Sequence, residues 1–261
     1  MKTYWITGAS SGLGQALAQE LSLNGHQLIL SARNLSRLES LKQNSPYPDR
    51  IQLLPFDLAD YQQAPEIVAQ ALKLFSKIDI VILNAGIAQR SLAQETSIEV
   101  YKNLMDVNYL GNIALTQELL KEFMRVNDGQ FVIISSLVGK FGTPYRSGYS
   151  ASKHALHGYF DSLRAEMKMQ KFNIDVTIIC PGFVSTEISF NALSGNGDAT
   201  RVYDERNAKG LTPKDFATKA IKVINSKTFE ANIGGKETLG VLIKRLLPSV
   251  FAKLIAKVRV R

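Results

Sequence analysis

The chain has 261 residues, 45% of them hydrophobic, which suffices for one large α/β domain, and no Pro- or Ser-rich linker divides it. A single cysteine, Cys180, excludes an internal disulfide, and the chain enters Lys2-Thr-Tyr-Trp-Ile-Thr7 without a long apolar signal segment, so a reducing cytoplasm is the expected compartment. The net charge of +8 is concentrated at one end, because Lys244, Arg245, Lys253, Lys257, Arg259 and Arg261 follow the last acid, Glu237; the body lacks the basic cluster of a nucleic-acid binder.

In chain order, short apolar or β-branched runs at 4–6, 27–30, 51–54, 78–83, 131–134 and 174–179 predict strands. Helical patterns near 12–24, 35–44, 60–75, 97–126 and 150–171 separate them. Strands apolar on both faces that alternate with helices predict a parallel sheet covered on both sides, and right-handed crossovers make it doubly wound. Ligands of such sheets sit outside the carboxyl ends of the strands, so the residues after each strand carry the functional information.

After the first strand comes Thr7-Gly-Ala-Ser-Ser-Gly-Leu-Gly14. Gly8, Gly12 and Gly14 permit a tight turn and close backbone approach, and a helix that opens there offers its N–H groups to a phosphate. Gln15 stands where a P-loop places its lysine, which argues against nucleotide hydrolysis. The second strand ends in Ser31-Ala-Arg33, with no acid to hold a ribose 2′-OH; either Arg33 is a solvated loop residue, or it meets the 2′-phosphate of NADP(H), and the latter predicts NADP(H) in preference to NAD(H).

In the stretch Tyr149-Ser-Ala-Ser-Lys153, a phenol and an ammonium lie four residues apart on one helix face. On spacing alone the pair is a surface contact, with the lysine stem packed on the ring. The alternative is a shared proton-transfer task. A free tyrosine has a pKa of about 10, a deficit of about 4 kcal/mol for acid–base work at neutral pH. An ammonium about 4 Å from the phenolate supplies about 4 kcal/mol at an effective dielectric of about 20. Burial opposes this, so a positive nicotinamide ring is a second contributor in the alcohol-oxidising direction. His154 and His157 read as ordinary helix residues, and no metal-ligand spacing is present.

The ordered set Thr7–Gly14, Asn84-Ala-Gly86, Asn108, Ser136, Tyr149-Ser-Ala-Ser-Lys153 and Pro181-Gly182 resembles the single-domain short-chain dehydrogenases/reductases over nearly the whole chain. The stretches Ser135-Ser-Leu-Val-Gly-Lys-Phe-Gly-Thr-Pro and YSASKHALHGYFDSLRAE are similar to the branch of dehydrogenase/reductase member 7-like proteins and 11β-hydroxysteroid dehydrogenases. The resemblance implies a Rossmann-type, seven-stranded parallel sheet with helices on both faces. It also implies an NADP(H)-dependent oxidoreductase that acts on a ketone or secondary alcohol, with lipid- or steroid-like carbonyls as the substrate class.

By the same resemblance Tyr149 is the proton donor, Ser136 (with Ser135 as runner-up) holds the carbonyl oxygen, and Lys153 also binds the nicotinamide ribose. Asn108 would join a proton relay; from the residues alone it is equally a polar residue bonding backbone locally. The cofactor set implied is Gly8, Ser10, Ser11, Gly12, Leu13, Gly14, Arg33, Asp57, Leu58, Asn84, Ala85, Gly86, Tyr149, Lys153, Pro181, Gly182, Val184 and Thr186. Within it, Asp57 belongs at the adenine or, alternatively, caps the helix that follows. Homodimers or homotetramers built on the helices near 108–126 and 150–171 are implied as well. A dinucleotide-binding regulatory or scaffold protein is the alternative; the Ser136, Tyr149 and Lys153 set argues against it, since a binder has no need of a proton donor.

Residues 1–238 form the expected catalytic domain, within which 184–210, interrupted by Gly195-Asn-Gly197, reads as a lid over the substrate, with Phe183, Ile188, Phe190 and Leu193 as candidate pocket residues. The tail, 239–261, is a basic amphipathic pattern that Pro248 kinks. Its longest uncharged run, 246–252, is far too short to span a bilayer. The apolar face either packs on protein or rests on an anionic membrane surface.

Overall fold

The computed structural model describes residues 1–258, so Arg259 and Arg261 of the basic tail lie outside the described residues. Seven strands form one all-parallel sheet: β1 (Thr3–Thr7), β2 (Gln27–Ser31), β3 (Ile51–Leu53), β4 (Ile80–Leu83), β5 (Gly129–Ile134), β6 (Ile174–Pro181) and β7 (Glu230–Ile233). Their spatial order is β3-β2-β1-β4-β5-β6-β7. The chain winds outward from β1 to β3, then returns to β4 on the other side of β1, which opens a crevice at the carboxyl ends of β1 and β4.

Alternation along each strand explains the two apolar faces. Trp5, Ile29, Val81, Phe131 and Ile178 point into one core, while Tyr4, Ile6, Leu28, Ile82 and Val132 point into the other. The first core is covered by α3 (Ala64–Leu74), α4 (Ile98–Met105), α5 (Gly111–Val126) and α6 (Ser147–Met169). The second is covered by α1 (Gly12–Leu23), α2 (Leu35–Gln43) and α8 (Pro213–Asn225), with the short α7 (Glu205–Ala208) lying in the preceding loop. Burial of each such side chain contributes about 1.5–3 kcal/mol. Trp5 also needs a partner for its indole N–H, and Ser31 Oγ on β2 accepts it at 2.9 Å.

Two departures from the expected helices bear on the site. The single helix expected over 97–126 is α4 and α5 joined by a π turn at Asp106–Leu110. Asn108, in that turn, is drawn out of the helical pattern by the backbone of Ile87, whose N–H it accepts at 2.8 Å and whose carbonyl it meets at 2.9 Å. Just beyond it Gly111 packs so closely on the Leu58 backbone that a Cβ would collide with the Leu58 carbonyl. Second, α6 begins at Ser147 rather than near 150, because Gln89 Oε1 accepts the N–H groups of Gly148 (2.9 Å) and Tyr149 (3.4 Å).

The segment 184–210 is tied down by backbone bonds from Leu193 N–H to Ala88 and from Arg90 N–H to Leu193, at 2.8 and 2.7 Å. After β7, Pro248 divides the tail into α9 (Leu239–Leu246) and α10 (Pro248–Ile255). Phe251 is buried against Phe141, their ring centroids 4.9 Å apart. No helix among the described residues is long and apolar enough to cross a membrane.

Candidate active site

A cavity of about 1270 Å³ opens at the β1/β4 crevice, larger than a single small-molecule pocket needs. Its floor is the glycine turn. Gly8 (φ +68°) and Gly12 (φ +55°) take left-handed backbone angles, and a Cβ on Gly8 would approach Ala85 Cα to 2.8 Å. Ser11, the residue before α1, makes no side-chain cap hydrogen bond, so the first N–H groups of the helix are left to an anion. Ser10, Ser11 and Leu13 join the two glycines in the wall, while Gly14 stands behind, packed on Gly8 too closely for a side chain.

The turn is locked to β4. Thr7 Oγ1 accepts the N–H groups of Asn84 (3.0 Å) and Ala85 (3.1 Å), and Asn84 Nδ2 donates to the carbonyls of Thr7 (2.9 Å) and Gly8 (3.2 Å). Asn84, Ala85 and Gly86 thereby line the cavity beside the glycines. At the end of β2, Arg33 reaches Asp57 at 3.5 Å across the cavity rim; with 72% of its side chain exposed, the pair is weak and open to competition. Asp57 also accepts the Ala59 N–H at 3.0 Å, which closes a local turn rather than capping the helix that follows, since α3 opens only after Gln63, and Leu58 follows it in the wall. Arg37, which the sequence reading did not single out, stands beside Arg33 at 3.7 Å from Glu187. Pro181, Gly182, Val184 and Thr186 close the opposite wall, where Thr186 faces Gly12.

The chemical groups converge deeper in. Ser136, Tyr149 and Lys153 all line the cavity; Tyr149 and Lys153 are 9% and 4% exposed. Lys153 Nζ donates to the Ile134 carbonyl at the end of β5 (2.9 Å) and lies 5.9 Å from the Tyr149 ring centroid. Asn108, fully buried, stands back from the wall behind Gly86, where a Cβ would crowd Asn108 Oδ1 (3.0 Å) and come into contact with Lys153 Nζ (3.5 Å). Ser152, within α6, accepts from Asn108 Nδ2 and donates to the Tyr149 carbonyl, both at 2.9 Å. The local backbone bonding that the sequence allowed for Asn108 is thus present.

The two serines after β5 have different partners: Ser136 Oγ accepts the Val138 N–H at 3.3 Å. Ser135 is buried and turned to His157 Nε2 (3.0 Å). His157 is a buried hub rather than an ordinary helix residue: Cys180 Sγ lies 3.6 Å from Nε2, and Glu230 Oε2 lies 3.6 Å from Nδ1. Lys140 Nζ donates to Glu230 at 2.5 Å. Burial pushes the Glu230 carboxyl up, but hydrogen bonds from His157 and Lys140 prevail and hold it at about 2. No metal-ligating group of three appears among the described residues.

Burial raises the Tyr149 pKa above its ordinary value, against the opposing pull of the Arg146 charge and a hydrogen bond with the Ser136 side chain. Burial likewise pushes Lys153 down to about 8. The cation that pulls against this burial is Arg146, one turn earlier, while Lys153 Nζ is bonded to the Ile134 carbonyl. Arg146, Gln89 and Ser152 were missed in the sequence because their partners are remote or are backbone groups. Among the expected lid residues, Phe183, Ile188, Phe190 and Leu193 all line the cavity.

The short chain dehydrogenase family matches residues 2–196, including the glycine turn, the β4 end and the Tyr149–Lys153 helix. The chain belongs to this family. It is therefore an oxidoreductase. It is 37% identical over 264 residues to the dehydrogenase/reductase SDR family protein 7-like of Drosophila melanogaster, covering 98% of this chain and 80% of the relative. A short-chain dehydrogenase from Streptomyces avermitilis superposes with a TM-score of 0.82 at 27% identity, covering 97% of this chain and 96% of that one. Two solved structures that share the fold differ in ligand. An alcohol dehydrogenase from Thermococcus sibiricus, complexed with 5-hydroxy-NADP, has a TM-score of 0.75 at 24% identity, covering 90% of this chain and 97% of that one. A short-chain dehydrogenase/reductase from Burkholderia phymatum, in complex with NAD, has a TM-score of 0.82 at 20% identity, covering 95% and 94%.

Lys153 has a pH signature. Its folded pKa, about 8, lies below the ordinary 10.5, so the buried ammonium costs stability at neutral pH. Between these values the unfolded chain binds more protons, and this contribution to stability rises with pH. Tyr149, raised from 10.0, and Cys180, raised from 9.0 to about 12, act in the opposite sense above their ordinary values. The Lys153 effect is therefore read as a difference: denaturation stability of wild type relative to Lys153→Met should rise from about pH 8 toward pH 10. A flat difference across that window would mean that the ammonium is not desolvated.

Proposed function

We propose that the protein is an NADP(H)-dependent reductase of hydrophobic ketones, or the corresponding secondary-alcohol dehydrogenase. The observation that carries this reading is the convergence of Ser136, Tyr149 and Lys153 in one cavity with an anion-binding glycine turn. The residues present fit a dinucleotide: the free N–H groups at the start of α1 and the glycine floor suit its pyrophosphate. Asp57 suits the adenine, Arg33 with Arg37 a 2′-phosphate, Lys153 the nicotinamide ribose, and Thr186 the carboxamide. Bound there, the nicotinamide supplies or accepts the hydride at the carbonyl carbon.

The chain supplies the proton and the field. Ser136 holds the carbonyl oxygen by donating to it, and Tyr149 gives that oxygen its phenolic proton as negative charge develops. Arg146 stabilises the phenolate left behind, and Lys153 adds to this once a charged partner replaces the Ile134 carbonyl as its main neighbour. Proton return runs through Lys153 and Asn108 toward solvent. Residues 184–210 act as the lid over the substrate. Phe141, Phe183, Phe190 and Phe251 give the cavity an aromatic lining suited to a lipid-like chain.

The tail serves both surfaces considered for it. One face packs inward through Phe251, Ile243 and Ile255, which line the cavity. The other leaves Leu242, Leu246, Leu247, Val250 and Leu254 about half or more exposed, next to Lys244, Arg245 and Lys253. That combination suits an anionic lipid surface.

Three outcomes test the reading. NADPH consumption with ketones ranging from diketones to steroids and keto lipids should fall by about 10²–10⁴-fold in Tyr149→Phe while NADPH still binds. Tight NADPH binding without turnover across the whole range would favour a binding protein. Arg33→Asp should weaken NADPH much more than NADH in titrations followed by nicotinamide fluorescence, and an unchanged preference would remove Arg33 from the 2′-phosphate site. The protein should sediment with phosphatidylglycerol vesicles but not phosphatidylcholine vesicles, and lose this in Leu246→Glu; wild type that stays in the supernatant with both would refute the membrane role.

A further inference from the structure

Away from the reacting groups, three guanidinium groups meet a single acid. Asp204, whose side chain is 1% exposed, takes Arg90 at 2.7 Å, Arg146 at 3.1 Å and Arg206 at 3.1 Å. The three arginines come from separate parts of the chain: the loop after β4, the residue before α6, and α7 in the segment over the cavity. All three line the cavity, and their side chains are only 8%, 16% and 29% exposed. Arg90 Nη1 is buried with no hydrogen-bond partner among the described residues.

We propose that the substrate ketone carries a negatively charged group, a carboxylate or a phosphate monoester, held by Arg90, Arg146 and Arg206. The proposal rests on the reductase reading and specifies its substrate class. A single carboxylate leaves this cluster with two uncompensated positive charges in a poorly hydrated wall, which is costly unless another anion completes it. The rim differs in this respect: Arg33 is matched by Asp57 and Arg37 by Glu187, one to one. A structural tie for the segment over the cavity would need only one arginine on Asp204. The crowding has an electrostatic trace, since burial and the charge of Arg90 both depress the Arg146 guanidinium.

The arrangement also orients the ligand. Arg146 stands at the start of α6, three residues before Tyr149, and both line the cavity, so the charged group lies on the same side as the carbonyl that Tyr149 protonates. The remainder of the molecule then runs along Phe141, Phe251, Ile243 and Ile255, the apolar wall that the tail provides. A planar fork with several N–H donors suits the oxygens of a carboxylate or phosphate better than it suits any neutral head group.

The test compares kcat/KM with NADPH for three ketones: a medium-chain 3-oxo acid, its methyl ester, and the phosphate monoester of a 1-hydroxy-2-ketone of matching length. At least one anionic ketone should exceed the ester by about tenfold or more, and the excess should shrink with added salt. The better anion identifies the head group. In Arg206→Gln the excess should fall mainly through KM. An ester turned over as well as both anions, or an anion preference unaltered in Arg206→Gln, overturns the proposal and leaves the reductase reading standing. If no ketone, charged or neutral, is reduced although NADPH binds, the reductase reading is what fails. The anion subsite is then decided by protection against thermal unfolding with dodecanoate or inorganic phosphate: protection in wild type that is lost in Arg206→Gln upholds it, and no protection by either overturns it.

Discussion

Thr7 and Asn84 fasten two strands at the one place where the winding of the sheet changes direction. One hydroxyl accepts two N–H groups of the β4 loop, and one amide returns two bonds to the carbonyls of the glycine turn. The floor of the cavity is positioned from this joint. The turn presents the first N–H groups of α1, and the β4 loop carries Gly86 against Lys153. Ile87, the next residue, holds Asn108. Without the joint, the strand ends would diverge with the twist of the sheet, and the glycines would lose the fixed neighbours that make their conformation worth its entropic cost.

Burial sets the chemical character of the deeper site. Tyr149 and Lys153 are both pushed toward their neutral forms, the phenol upward and the ammonium down to about 8. Burial thus opposes ionisation of both groups: the phenol is a weaker acid than a free tyrosine, and the ammonium gives up its proton more readily than a free lysine. The cation that acts against the burial of Tyr149 is Arg146, whose own charge is disfavoured by burial and by the neighbouring Arg90.

The sheet and its order of elements were legible because strands apolar on both faces, such as 27–30 and 131–134, have few other solutions. The glycine turn and the Tyr149–Lys153 spacing were legible for a similar reason, since each requires particular residue types at fixed intervals. What escaped the sequence depends on contacts across long stretches of chain. The π turn at Asp106–Leu110 follows from bonds between Asn108 and Ile87, the start of α6 from Gln89, and the Asp204 cluster from arginines well over a hundred residues apart at the extremes. His157 looked ordinary because neither Ser135 nor Glu230 is its neighbour in sequence. The bond from Lys153 to the Ile134 carbonyl escaped as well, because no side-chain pattern reveals a backbone acceptor.

The Ser135–His157–Glu230–Lys140 network gives β7 an unusual standing. This four-residue strand is an outer edge of the sheet, where hydrogen bonds open most readily. Its Glu230 nevertheless anchors Lys140 from the loop after β5 and His157 from α6, and through His157 it reaches Ser135, the residue next to Ser136. The contacts of the last, least protected strand thereby extend through two side chains to within one residue of the cavity-lining Ser136, so the sheet margin and the cavity wall are parts of one polar network.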